Sequence, residues 1–189
     1  ALGQILYYHR LHPQGIKKYK SPVVKINIDY DKNPVDLNAI TPILTVSSTE
    51  EQKNQTAKYL FYIGTVFEDK FNNSTGVSGL PYDKRMEENF PIEAKLYHYP
   101  KNTSKEELEE TIKSNLLTSR PVLLYVEGSG TGHALVIDGM RIYQDKLQYH
   151  LNFGWQWEWD GWYDLWEPLN TPMVNLNEKL RMIMTIHPK

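Results

Sequence analysis

Two residues in the second half of this 189-residue sequence have the types and spacing for proton-transfer chemistry. His133 closes the run Gly130-Thr131-Gly132-His133 and opens the apolar stretch ALVIDG. An imidazole changes charge near neutral pH, so it can take and return a proton under ordinary conditions. The small residues ahead of it let a polypeptide backbone come close. Asn152 follows nineteen residues later, at the end of the next long strand-like segment. If the two segments pair, the Asn152 amide can hydrogen-bond the His133 ring and fix which ring nitrogen carries the proton. A histidine with a purely structural role satisfies the same pattern, and spacing alone does not separate the two.

The remaining histidines offer less. His9 and His12 fall at a helix end, His98 in a tyrosine-rich loop and His187 almost at the terminus. His150 lies two residues from Asn152 and so shares its strand face. No HExxH, paired-cysteine or clustered-carboxylate pattern marks a metal site. There is no GxGxxG, no P-loop and no Gly-x-Ser-x-Gly elbow, and no helix follows Gly128-Ser129-Gly130.

The elements that must position His133 and Asn152 are legible in outline. Residues 1–9 (ALGQILYYH) are apolar at helical spacing and end before the His12-Pro13-Gln14-Gly15 turn. Residues 16–47 read as short strands and loops. Ser48 and Glu51 predict a capping box for a helix reaching about Phe67, and Ser104 and Glu107 predict another for a helix reaching about Thr118. Residues 72–79 (NNSTGVSG) form a polar loop, and 81–89 a short helix. Strands are expected at 121–126, 134–138, 141–143, 148–153, 161–166 and 180–186, the first of them central because it is apolar throughout. Helices first and strands second predict an α+β fold with segregated parts, helix-rich over 1–118 and strand-rich over 119–189, within one domain.

Composition narrows the function. A net charge of −2 gives no basic footprint for nucleic acid and no polybasic patch for a membrane. No apolar run approaches the roughly 20 residues needed to span a bilayer. There are no cysteines, so disulfides and thiolate metal sites are excluded within the chain. The sequence starts at Ala1 directly within a helix-like segment, which predicts a fragment or processed form. All five tryptophans, Trp155, Trp157, Trp159, Trp162 and Trp166, fall in one stretch. They suit either a core wall or the aromatic lining of a cleft, with Trp162 and Trp166 expected on a strand and in the core.

HALVIDG, a hairpin, HLNFGW and then DGWY resemble the histidine-side signature of the streptopain family of papain-fold cysteine peptidases, which are bacterial and secreted. That family's pattern is His-Ala-x-Val-Ile-Asp-Gly, Asn-Trp-Gly-Trp and then Asp-Gly-Phe/Trp, and the spacings match through Tyr163. ALGQILYYHRLHPQG resembles the family's catalytic helix and its following turn, and the STGVSG loop and LRMIMTIHP strand fall in family order.

The resemblance implies a papain-like cysteine peptidase fold, with a helical part packed on an antiparallel sheet and a cleft between them. It makes His133 the catalytic imidazole and Asn152 its orienting or shielding partner. Gly132, Ser74, Gly76, Val77, Phe153 and Trp155 become substrate-side residues. Phe153 stands where the family usually has tryptophan. The nucleophilic cysteine would lie at the start of the catalytic helix, seven residues before Gln4 and four ahead of Ala1. The N-terminal end of that helix and the upstream oxyanion-hole glutamine would thus precede the chain.

Two further departures are notable. The family's glycine-rich loop before the last strand is replaced by residues 165–178 (LWEPLNTPMVNLNE), and its paired glycines after the second tryptophan read Gln156-Trp157. The rim should therefore be narrower or more aromatic. The expected activity is hydrolysis of peptide bonds in a peptide or protein substrate, without cofactor or metal, with an N-terminal propeptide or inhibitor domain and an extracellular or periplasmic location. The chain by itself would be inactive. A peptide- or protein-binding relative without a nucleophile is the main alternative, and a papain-fold transferase or amidase a third.

Overall fold

The computed structural model describes residues 1–71, 82–128, 131–171, 175–176 and 181–189. In chain order the elements are α1 (Leu2–Tyr8), β1 (Ile16–Lys20), β2 (Lys25–Asp29), α2 (Glu50–Val66), α3 (Tyr82–Asn89), β3 (Ile92–Tyr99), α4 (Lys105–Leu117), β4 (Val122–Gly128), β5 (Thr131–Tyr143), β6 (Lys146–Asn152), β7 (Gly161–Tyr163), β8 (Leu169–Asn170), β9 (Asn175–Leu176) and β10 (Arg181–Pro188). They form two compact units, Leu6–Glu93 with Pro188–Lys189, and Ala1–Ile5 with Ala94–His187. The fold class is α+β, as the sequence predicts.

The unit holding His133 is built on a six-stranded sheet of order β3-β10-β4-β5-β6-β7. Strand β4 is central, as its apolar run predicts. Its burial alternates, with Val122, Leu124 and Val126 fully buried on one face. These residues pair across the ladder with Ile137, Leu135 and His133, so the strand face carrying the core also carries the imidazole. Helix α4 covers that face with Leu108 and Ile112. Each such aliphatic side chain contributes about 1.5–3 kcal/mol on leaving water. Ser104 caps α4 by accepting from the Glu107 amide at 3.1 Å.

Strand β5 runs unbroken through residues expected as two strands, because Asp138 forms a bulge. Ile137 pairs with Leu151 and Gly139 with His150, leaving Asp138 as the extra residue. Space at Gly139 is tight: a Cβ would come within 3.2 Å of the His150 Cβ and 3.3 Å of the Trp162 ring. Strand β3 occupies a segment the sequence analysis left unassigned, and His98 lies on it rather than in a loop. It is an edge strand with only Ile92 fully buried, so its hydrophobic alternation is weak.

The other unit holds the β1-β2 hairpin, α2 and α3. Helix α2 is capped one residue later than expected. Thr49, not Ser48, accepts from the Gln52 amide at 3.2 Å, and the Gln52 side chain returns the bond to the Thr49 amide at 2.9 Å. Ser48 instead closes the preceding turn by accepting from the Thr45 amide. Two tyrosines and a threonine tie the buried face of α2 to its surroundings. Tyr59 donates to the Leu11 carbonyl, Thr65 to the Tyr62 carbonyl and therefore Tyr30 to Thr65. Among the described residues no helix is long and apolar enough to cross a membrane.

Thr49→Ala removes the hydroxyl that accepts from the Gln52 amide, while the backbone amide of residue 49 keeps its bond to the Gln52 side chain, and it should lower unfolding free energy by about 1 kcal/mol in urea denaturation. Ser48→Ala should cost less than half of that. The reverse ranking would place the cap where the sequence first suggested it.

Candidate active site

His133 sits on β5 with its ring half-buried beside two aromatic side chains. The ring stacks on Phe153 with centroids 6.0 Å apart and planes at 19°, and it lies 4.5 Å from the Trp155 ring. His133 Nε2 is 2.9 Å from the Phe153 carbonyl oxygen. A carbonyl can only accept, so Nε2 carries the hydrogen and the neutral ring presents its lone pair at Nδ1. Burial lowers the His133 pKa below its ordinary value of 6.5, and the Phe153 bond opposes this.

The expected bond from Asn152 to the ring is not what the structure contains. Asn152 lies opposite Val136 on the other face of the strand pair. Its Oδ1 accepts from Gln4 Nε2 at 3.1 Å and from the Gly154 amide at 2.9 Å, and those two donors use both lone pairs of an amide oxygen. Asn152 nevertheless reaches His133 indirectly. The Gly154 N–H and the Phe153 C=O belong to one peptide group. Asn152 binds its hydrogen end and His133 its oxygen end. Hydrogen bonds in such a chain polarise one another in the same sense.

The local sequence explains why this peptide is held still. Gly154 has φ of +76°, a conformation glycine adopts without a steric penalty, and the turn brings its amide back to the Asn152 side chain. The Phe153 amide donates to Asp160 Oδ1 at 2.7 Å. Phe153 is therefore gripped at its amide by Asp160, at its carbonyl by His133, and through its ring by the core, where it is 1% exposed. Neither Gln4 nor Asp160 emerged from the sequence as a site residue. Gln4 served only to mark register, and Asp160 was part of a motif without a role.

Gly132, expected to offer backbone to a substrate, lies opposite Glu127 on β4. A Cβ at this position would overlap the Tyr125 hydroxyl, while the glycine itself is exposed. Ser74, Gly76 and Val77 lie outside the described residues. Trp162 is on β7 but 38% exposed rather than in the core, and Trp166 follows the strand in a turn, packed against Tyr99. A second imidazole–carboxylate pair also went unforeseen. His150 Nδ1 lies 2.6 Å from Asp138 Oδ1, the bulge residue, and its ring meets Trp162 edge-on.

The architecture is shared with known cysteine proteases. Interpain A from Prevotella intermedia, solved as the active wild-type cysteine protease, superposes with a TM-score of 0.78 at 20% identity, over 97% of this chain and 79% of that one. A mutant fragment of prointerpain A from the same organism gives 0.73 at 22% identity, over 97% and 60%. The fold is thus that of a papain-like cysteine peptidase. Streptopain from Streptococcus pyogenes is 27% identical over 178 residues, covering 87% of this chain and 44% of the relative. The chain therefore spans a little under half the length of the curated relatives it matches. The profile of the Peptidase C10 family matches residues 1–163, and the chain belongs to that family.

The lowered His133 pKa has a consequence for stability. Above the ordinary value of 6.5 the ring is neutral in both folded and unfolded chains, and it contributes no pH dependence. As pH falls through that value, the unfolded chain takes up a proton that the folded chain refuses, and stability drops. His133→Phe should therefore lose less stability than the parent between about pH 7 and about pH 5, in urea midpoints read across that range. Equal losses would mean that burial does not depress the imidazole.

Proposed function

We propose that the protein containing this chain is a secreted cysteine endopeptidase, that residues 1–189 belong to its catalytic domain, and that its thiol lies upstream of Ala1. The observation that carries this reading is the His133 ring, whose Nε2 is tied to the Phe153 carbonyl at 2.9 Å, leaving Nδ1 as the base. The chain contains no cysteine, so the thiol must come from residues outside it. The resemblance to the family's motif order supports a position four residues before Ala1, at a helix start where a thiol ionises readily.

In this reading Nδ1 of His133 takes the thiol proton, and the thiolate sulfur adds to the scissile carbonyl carbon. The resulting oxyanion is stabilised by donors near the helix start. The C–N bond then breaks as the imidazolium returns its proton to the leaving amine. Water, deprotonated by the same nitrogen, hydrolyses the thioester. Phe153 and Trp155 cover the ring and keep water from the ion pair, which strengthens it. Asn152 orients the imidazole through the Phe153–Gly154 peptide, and Gly132, Ser74, Gly76 and Val77 flank the substrate. The substrate is a peptide or protein, and an N-terminal propeptide precedes the catalytic part.

One observation favours the binding-module alternative, namely the lack of any thiol in 189 residues. Sequencing the encoding gene upstream of Ala1 separates the two. With a cysteine four codons before Ala1, the full-length protein should cleave casein in a thiol-dependent manner, and His133→Ala should lower kcat/KM by about 10²–10⁴-fold. Asn152→Ala, acting at one remove, should cost less. Any other residue at that codon would end the peptidase reading and leave a module that binds peptides without cutting them.

A further inference from the structure

Beyond Trp155, the loop that packs on His133 carries two more tryptophans, and its geometry is unusual. Trp157 is 67% exposed and Trp159 40% exposed. Gln156, Trp157 and Trp159 all have positive φ, at +55°, +63° and +68°. Each such non-glycine residue is held in a conformation that costs of order 1 kcal/mol or more. The loop thus combines backbone strain with two indoles left in water. Folding rewards neither, and Gly at 156 and 157 would remove part of both.

The loop is nonetheless tied down. The Glu158 amide donates to the Trp155 carbonyl at 3.2 Å, the Asp160 amide to the Trp157 carbonyl at 3.2 Å, and the Tyr163 hydroxyl to the Trp159 carbonyl at 2.7 Å. Asp160 also anchors the loop to the Phe153 amide. The indoles therefore project from a braced support, and a preorganised aromatic surface binds without first losing conformational freedom.

We propose that Trp157 and Trp159 form an aromatic subsite for a large apolar or aromatic side chain on the residue that follows the scissile bond. This rests on the peptidase reading above. The assignment to that side follows from the chemistry of the imidazole. A general acid must lie within hydrogen-bond reach of the amine it protonates, so the groups beside the His133 ring face the leaving fragment. Trp155 touches that ring, and Trp157 and Trp159 continue the same short loop. Phenylalanine or leucine there buries apolar area against the indoles and gains the extra attraction of paired aromatic rings.

Two experiments separate this subsite from the peptidase reading. The first uses the 189-residue chain itself, which needs no thiol to bind a product-like peptide. Phe-Ala-amide, with its free amino terminus, is titrated while the five indole N–H signals are followed by NMR, assigned by single substitutions. The signals of Trp157 and Trp159 should shift, and Ala-Ala-amide should move neither. Trp157→Gly should weaken Phe-Ala-amide at least about tenfold, as loss of an aromatic anchor does. It should leave the thermal midpoint unchanged or raised, since glycine relieves the positive φ. Unmoved Trp157 and Trp159 signals, or undiminished affinity in Trp157→Gly, would overturn the subsite.

The second experiment compares the full-length protein with its Trp157→Gly variant on peptides differing only in the residue after the scissile bond. The parent should favour phenylalanine over alanine at least about tenfold in kcat/KM, and the variant should lose that preference. Cleavage without preference, together with unmoved indoles, leaves the peptidase and removes the subsite. Shifted indoles without any cleavage keep the aromatic site and remove the peptidase.

Discussion

The bond from His133 Nε2 to the Phe153 carbonyl, at 2.9 Å, is the constraint on which the rest of the site depends. It assigns the tautomer, because the acceptor has no hydrogen of its own to give. It also fixes the ring plane, which is then covered by Phe153 and Trp155. An imidazole free to rotate would present the lone pair and the N–H interchangeably, and only one of those can accept a proton from a thiol. The surrounding hydrogen bonds hold the Phe153 carbonyl in place. Asp160 takes the amide of the same residue, Asn152 takes the amide on the far side of the same peptide group, and Gln4 holds Asn152.

A backbone carbonyl differs from a side-chain amide as an orienting group. It has no rotamers, and its direction is set by the φ and ψ of the residues around it. Here the +76° φ of Gly154 sets that direction, and the buried Phe153 ring anchors it in the core. The acceptor is therefore as rigid as the sheet that carries it. Burial of the ring lowers the imidazole pKa in the chain as it stands. An adjacent thiolate would act in the opposite direction by favouring the charged ring.

The central place of β4 and the pairing of the His133 and Asn152 strands were legible because they rest on apolar runs and turn residues. The strands carry Val122, Leu124, Leu135, Ile137 and Leu151 at alternate positions, and burial of that face settles the register. Strand β3 was missed because an edge strand buries too little to show a clear alternation. The Asp138 bulge was missed because one extra residue leaves no mark on composition. At the site, type and spacing singled out His133 and Asn152, but the structure holds each through other partners. Whether a side chain or a neighbouring backbone carbonyl holds an imidazole depends on a turn two residues long. The tryptophan cluster was visible as a clustering, while its division into a cover for the ring, core packing and exposed indoles needed coordinates.

The most direct test of the central claim is the protonation state of the His133 ring nitrogens, read by long-range proton–nitrogen correlation NMR on the 189-residue chain above the ordinary imidazole pKa. The account predicts a protonated, pyrrole-type Nε2 and an unprotonated, pyridine-type Nδ1, with both signals unchanged in kind in Ser48→Ala. A protonated Nδ1 with a bare Nε2 would contradict it, because the Phe153 carbonyl could not then hold the ring and the base would face the wrong way.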